Sequence, residues 1–136
     1  MTPWNFDEND GWVEFLHFKL ENLPPPNSRN DRTRREHVRT AAAANWPRNA
    51  DRSGFWGFRI IVRRKFEGQS ADLDNYVKHV VDSFSGKTLQ KDSSQLIEEL
   101  KLYPDDNVNY VRLIEVAAER ARKLELEVWI YHNARS

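Results

Sequence analysis

Hydrophobic and polar residues alternate most clearly near the end of the sequence, over residues 124–131. Leu124, Leu126, Val128 and Ile130 occupy every second position there, with charged or aromatic residues between them. A period of two is typical of a half-buried β-strand, because successive side chains of a strand point to opposite faces. The pattern therefore predicts a strand over 124–131.

Three further segments have weaker strand patterns. They are rich in aromatic and β-branched residues, or they alternate in polarity, and both features suit a pleated surface with one buried face. These segments are 12–20, 58–66 and 96–102. The run of prolines at 24–26 ends the first of them, since proline cannot donate to a strand ladder.

Three other segments place apolar residues three or four positions apart, which is typical of a helix with one buried face. They are 32–45, 74–85 and 107–123, and Gly86 is placed to end the second. Helices and strands intermix without a regular strand–helix–strand order. The patterns therefore predict one α+β domain over 1–136, with a mixed sheet of about four strands and helices mainly on one face.

Composition limits the class of protein. The 136 residues include no cysteine, which excludes disulfides, thiolate metal sites and cysteine nucleophiles. No apolar run approaches the ~20 residues that cross a bilayer, and residues 1–11 form an irregular, acidic lead-in. We therefore expect a soluble, cytoplasmic protein with no membrane partner.

Charge is distributed unevenly although the formal net charge is zero. Residues 27–65 contain eleven Arg or Lys and three acids, a balance of +8, so the remainder carries −8. A basic block of this kind favours a phosphate-backbone partner, because each neutralised phosphate releases condensed counterions. A solvated surface that only maintains solubility is the alternative interpretation.

The segment with the most chemical content is DLDNYVKHVVD, at 72–82. Asp72 and Asp74 stand two apart at the entry to a predicted helix, where their repulsion of roughly 4 kcal/mol at ~4 Å would be relieved by a divalent cation. Asp74, Lys78 and Asp82 follow four apart on one helix face. Helix capping and a surface ion pair are the structural alternatives for these residues, and Asp82 is interpreted as structural.

These residues give the chain a resemblance to a known family. Asp72-Leu73-Asp74-Asn75 with Lys78, followed later by Asp92-Ser93-Ser94-Gln95, resembles the DxDNxxK segment and the acidic-x-Gln element of RusA-family Holliday-junction resolvases. The proline segment at 23–28, the arginine-bearing helix after it and the closing amphipathic strand are weaker points of similarity. The resemblance spans about 13–130, and 105–122 is interpreted as a helical insertion.

The resemblance implies a homodimeric endonuclease, dependent on Mg²⁺ or Mn²⁺, that nicks four-way DNA junctions during recombination and repair. Asp72, Asp74 and Asp92 would bind the metal, and Lys78 would assist catalysis by contacting a phosphate. The basic residues expected to hold DNA are Arg32, Arg34, Arg35, Arg39, Arg63, Arg64 and Lys65.

One departure from the family pattern leaves two outcomes open. The position of the family's third carboxylate falls on Ser93, one residue after Asp92. If the preceding loop shifts by one residue, Asp92 becomes the third ligand; otherwise Glu98 or Glu99 would be a distant substitute. The alternative function is therefore a catalytically weak or inactive DNA-binding protein with a RusA-like fold.

Overall fold

The computed structural model describes residues 6–24, 30–66 and 73–135. Its elements in chain order are a 3₁₀ helix at Glu8–Asp10, β1 at Val13–Glu21, α1 at Asp31–Ala43, β2 at Phe55–Arg64, α2 at Leu73–Asp82, α3 at Gly86–Lys91, α4 at Ile97–Leu100, β3 at Val111–Arg120 and β4 at Glu125–Asn133. Within these ranges the strands form one mixed sheet in the order β1-β4-β2-β3. The predicted α+β domain is confirmed.

The register of the sheet aligns buried side chains of neighbouring strands, and these side chains form the core. β4 pairs antiparallel with β1 and with β2, so that Phe18, Val128 and Ile60 lie side by side across three strands. All three are buried. So are the residues two positions away on the same face of the sheet, which are Leu16, Ile130 and Phe58 on one side and Leu20, Leu126 and Val62 on the other. Val38 of α1 and Val80 of α2 are fully buried in the same cluster, so the helices cover this face of the sheet.

The other face of the sheet carries polar and aromatic side chains. His17 stacks on Trp129 with ring centroids 4.5 Å apart, and the guanidinium of Arg59 lies 4.3 Å from the centre of the Trp129 ring. His17 Nε2 also lies 2.6 Å from a Glu127 oxygen. In the described part of the chain, no helix is long and apolar enough to span a bilayer.

Two predicted elements are wrong. Residues 107–123 were expected to be helical, but Val111–Arg120 forms β3, which pairs in parallel with β2. The segment 105–122 is therefore not a helical insertion, because most of it is a strand of the sheet. Residues 96–102 were expected to form a strand, but they contain the short helix α4 at Ile97–Leu100.

The remaining elements lie close to their predicted bounds. The strands predicted at 12–20, 58–66 and 124–131 are β1, β2 and β4, and the helices predicted at 32–45 and 74–85 are α1 and α2. α2 ends at Asp82, before Gly86, which begins α3. Part of the proline segment, 25–28, lies outside the described residues.

Candidate functional site

Asp74, Asn75 and Lys78 form the solvent-exposed face of α2, whereas His79 on the same helix is buried. Asp74 and Lys78 are exposed one helical turn apart, while Val80 and Val81 are buried against the core. Side chains at i and i+4 are neighbours on a helix surface, so the carboxylate and the ammonium group can engage the same ligand. Asp72, the other predicted metal ligand on this segment, lies outside the described residues.

Asp74 and Lys78 open onto a groove between α2 and the start of β3. Its volume is about 580 Å³. Its lining residues are Asp74, Val77, Lys78, Val81, Asp106, Asn107, Val108, Val111 and Ile114. Most of the lining side chains are apolar, the charged ones are Asp74, Lys78 and Asp106, and Val108 is 78% exposed.

Asp82 forms a carboxyl pair with Asp106. Burial, a hydrogen bond to Asp106 and the charge of Asp106 raise the pKa of Asp82 to about 7, against the opposing charges of Lys78 and Arg35. Asp82 stands two helical turns after Asp74, which is roughly 12 Å along the axis. Asp82 therefore cannot share one metal ion with Asp74. Sequence reasoning missed Asp106, because this residue lies in the segment 105–122, which was interpreted as a helical insertion.

Asp92 is enclosed by two arginines of α1. Its carboxylate accepts hydrogen bonds of 2.7 Å from Nε and from an Nη of Arg35, and a third of 3.0 Å from Arg39. Asp92 is 4% exposed, Arg35 8% and Arg39 0%. Arg39 also donates to the backbone oxygen of Ser83, at 2.7 Å. We call Arg35, Arg39 and Asp92 the arginine–aspartate cluster.

This cluster corrects the expectation that Asp92 completes a metal site. Burial would raise the pKa of Asp92, but the hydrogen bonds and charges of Arg35 and Arg39 hold it below its usual value. Both carboxylate oxygens are already bonded to guanidinium groups, and a cation would have to displace them. In this structure Asp92 links α3 to α1, and it is a structural residue.

Arg34 is also buried, in a separate network. Its Nε donates to His79 Nδ1 at 3.2 Å, its Nη1 donates to the backbone oxygen of Pro24, and His79 Nε2 lies 2.9 Å from Asp31. Burial lowers the pKa of both Arg34 and His79. The imidazole is therefore neutral and joins α1 to α2.

The expectation that Arg34, Arg35 and Arg39 hold DNA is therefore wrong in this structure. All three are buried and engaged within the protein, so they offer no surface to a phosphate backbone. Arg34 contacts α2 through His79, and Arg35 and Arg39 contact Asp92 at the C-terminal end of α3. Three of the eleven basic residues in 27–65 are therefore engaged inside the protein.

The other predicted DNA-binding residues are at least partly exposed, and they differ in their hydrogen-bond partners within the protein. Arg32 and Lys65 are exposed. Arg64 donates to the hydroxyl of Tyr76, at 2.9 Å. Arg63 is at the centre of an acidic group on the open face of the sheet, with bonds of 2.7 to 2.9 Å to Glu119, Glu125 and Glu127.

The fit to a divalent metal is therefore partial. An exposed aspartate such as Asp74 supplies the hard oxygen donor that Mg²⁺ and Mn²⁺ take. Over residues 6–24, 30–66 and 73–135, however, no group of three or more His, Asp or Glu side chains is arranged to hold a metal ion. Glu98 and Glu99 are exposed on α4, and Ser93 is exposed with φ +54°.

Comparison with protein-family models, with curated proteins and with solved structures finds no match. The residues and their geometry are therefore the basis for inferring a function. The feature that carries most chemistry is the exposed Asp74–Lys78 face on its groove.

Proposed function

We propose that this chain is a RusA-like DNA endonuclease, dependent on Mg²⁺ or Mn²⁺, that acts on branched DNA as a homodimer. The observation that supports the proposal is the exposed face of Asp74 and Lys78 on the groove beside α2. Asp74, with Asp72 two residues earlier, would hold the metal. A bound divalent ion supplies a Lewis acid for a phosphoryl oxygen and a more acidic water.

The chain's own residues then have separable roles. Lys78 lies one turn beyond Asp74, where its ammonium group can contact a phosphate and stabilise the charge that develops during hydrolysis. The N-terminal end of α2 favours an anion near Asp74, because its first backbone N–H groups point outward. Asp92 has no part in the chemistry and holds the fold around the site.

The test is nicking of an end-labelled four-way junction in Mg²⁺ or Mn²⁺. Asp74→Asn should abolish nicking, and Lys78→Met should slow it by roughly 10²- to 10³-fold, which is the usual effect of removing a charge-stabilising group. Glu14→Gln, which changes an exposed carboxylate on β1, is the matched control and should nick at the native rate. Native protein that binds the junction without nicking it would refute the proposal.

A second candidate is a DNA-binding protein with little or no turnover. It is favoured by the enclosure of Asp92, which leaves Ser93 where the family has its third carboxylate. Ser93 has a left-handed backbone, a conformation that aspartate tolerates better than most residues. Under this candidate, native protein binds without nicking and Ser93→Asp gains activity; a Ser93→Asp variant as inert as native protein would count against it.

A further inference from the structure

A second concave surface lies at the carboxyl ends of the parallel strands β2 and β3. Its volume is about 340 Å³, and it is lined by Lys65, Phe66, Arg120, Ala121 and Arg122. The described lining residues include three cations and no acid. In sheets with parallel strands, ligands commonly bind outside the carboxyl ends of the strands. We call this surface the β2–β3 pocket.

The parallel pairing brings these cations together. Arg64 stands opposite Arg120 in the register, and the Ala121 N–H donates to the Arg64 oxygen at 3.0 Å, so both strand ends are fixed. The nearby acid Glu119 is bonded to Arg63, at 2.9 Å, on the opposite side of the strand. Like charges gathered in this way repel each other, and an anion relieves that repulsion.

An exposed aromatic ring distinguishes the pocket from an ordinary basic surface. Phe66 is 50% exposed, although phenylalanine is normally buried. The guanidinium of Arg120 lies 4.9 Å from the centre of its ring. Proteins that bind single-stranded nucleic acid commonly place exposed aromatic rings beside cations. The bases stack on the rings, and the cations contact the phosphates.

We propose that the β2–β3 pocket binds a single-stranded stretch of DNA. An unpaired base stacks on Phe66, and the flanking phosphates contact Lys65, Arg120 and Arg122. This inference rests on the proposed function and supplies a DNA contact that the buried arginines of α1 do not. The pocket lies at the end of β2 that leads to α2, and the bond between Arg64 and Tyr76 joins these two elements.

The experiment measures the binding of fluorescein-labelled (dT)₁₂ by anisotropy in EDTA, over a series of salt concentrations, with a 12-base-pair duplex for comparison. One variant is Phe66→Leu, which keeps an apolar side chain and removes the ring. The other is the double variant Arg120→Gln with Arg122→Gln. Arg112→Gln is the matched control, because Arg112 lies over Phe55 at 4.2 Å at the opposite end of β3.

Phe66→Leu should weaken (dT)₁₂ binding by roughly 5- to 100-fold with an unchanged salt slope, which is the usual effect of losing one base stack. The double variant should flatten the slope of log affinity against log salt by about 1.4, or ~0.7 per phosphate contact. Arg112→Gln should bind like native protein. The melting temperature of each variant is measured first, and binding is compared only for variants that melt at the same temperature as native protein.

Three results would overturn the inference: native affinity in both pocket variants, equal weakening by Arg112→Gln, or duplex binding that is as tight as (dT)₁₂ and indifferent to Phe66. Because the assay contains no metal, its outcome is independent of cleavage. Binding through Phe66 by a protein that never nicks a junction would refute only the proposed function. Nicking that survives unchanged in both pocket variants, with unchanged binding, would refute only this inference.

Discussion

The substitution Asp92→Asn should destabilise the protein by about 3–5 kcal/mol, the usual cost of breaking a buried ion pair. Three charge-assisted hydrogen bonds, of 2.7, 2.7 and 3.0 Å, reach the Asp92 carboxylate from buried guanidinium groups. The amide keeps the volume but carries no charge, and its NH₂ group faces a donor. Arg39 retains Ser83 and Glu36 as acceptors, so most of the cost falls on Arg35.

The measurement is thermal unfolding at pH 7. A domain of this size loses roughly 3 °C of melting temperature per kcal/mol, so Asp92→Asn should melt about 10–15 °C below native protein. Glu36→Gln is the control, because it removes a 33%-exposed partner of the same Arg39 and should cost about 1 kcal/mol or less. A melting temperature within about 2 °C of native would refute the buried pairing and restore Asp92 as a candidate metal ligand.

The same substitution has a definite pH dependence. The pKa of Asp92 is lower in the folded protein than in the unfolded chain. Its contribution is therefore fully present above the unfolded pKa of about 4 and is lost as the pH falls through the folded pKa. The difference in melting temperature between native protein and Asp92→Asn should be constant from pH 5 to 8 and shrink in acid.

Two further predictions concern the half-buried Asp82 and the buried His79. The pKa of Asp82 is raised to about 7, so its stabilising contribution is present below pH ~4 and is lost as the pH rises towards 7. Asp82→Asn should therefore be more stable than native protein at pH 8 by urea unfolding; lower stability at both pH 5 and pH 8 would contradict this. The pKa of His79 is lowered by burial, so native protein should lose stability as the pH falls below ~6.5. His79→Gln should lack that loss in melts from pH 7.5 to 5, and an unchanged pH slope would show that the imidazole is not buried neutral.

Local periodicity predicted β4, α1 and α2, because each of these elements packs one side against the core. Leu126, Val128 and Ile130 of β4 alternate in sequence because helices cover the face on which they lie, and α1 and α2 each bury one side. β3 was mistaken for a helix because its apolar residues, such as Leu113, Ile114 and Ala117, also fit a spacing of three or four. Its strand conformation comes from the parallel pairing with β2, which is distant in sequence. The pattern of apolar residues within 107–123 does not indicate this pairing with a distant strand.

The candidate site was predictable only in part. The exposure of Asp74 and Lys78 follows from helical spacing within ten residues, and the structure places both at the surface. The arginine–aspartate cluster joins residues 53 and 57 positions apart, so its charges appeared as a basic block and a separate acid. Only the packing of α1 against the α3 end brings opposite charges together and removes them from the surface.

The order of the strands also constrains how the protein folds. β4 is the last strand of the sheet along the chain, yet it lies between β1 and β2. Its contacts with β1 join residues about 110 positions apart, such as His17 and Glu127. Such long-range closure slows folding. During synthesis, β1 and β2 must wait for β4 to leave the ribosome, so we expect the sheet to form after translation of residue 133, with two strand edges open to aggregation until then.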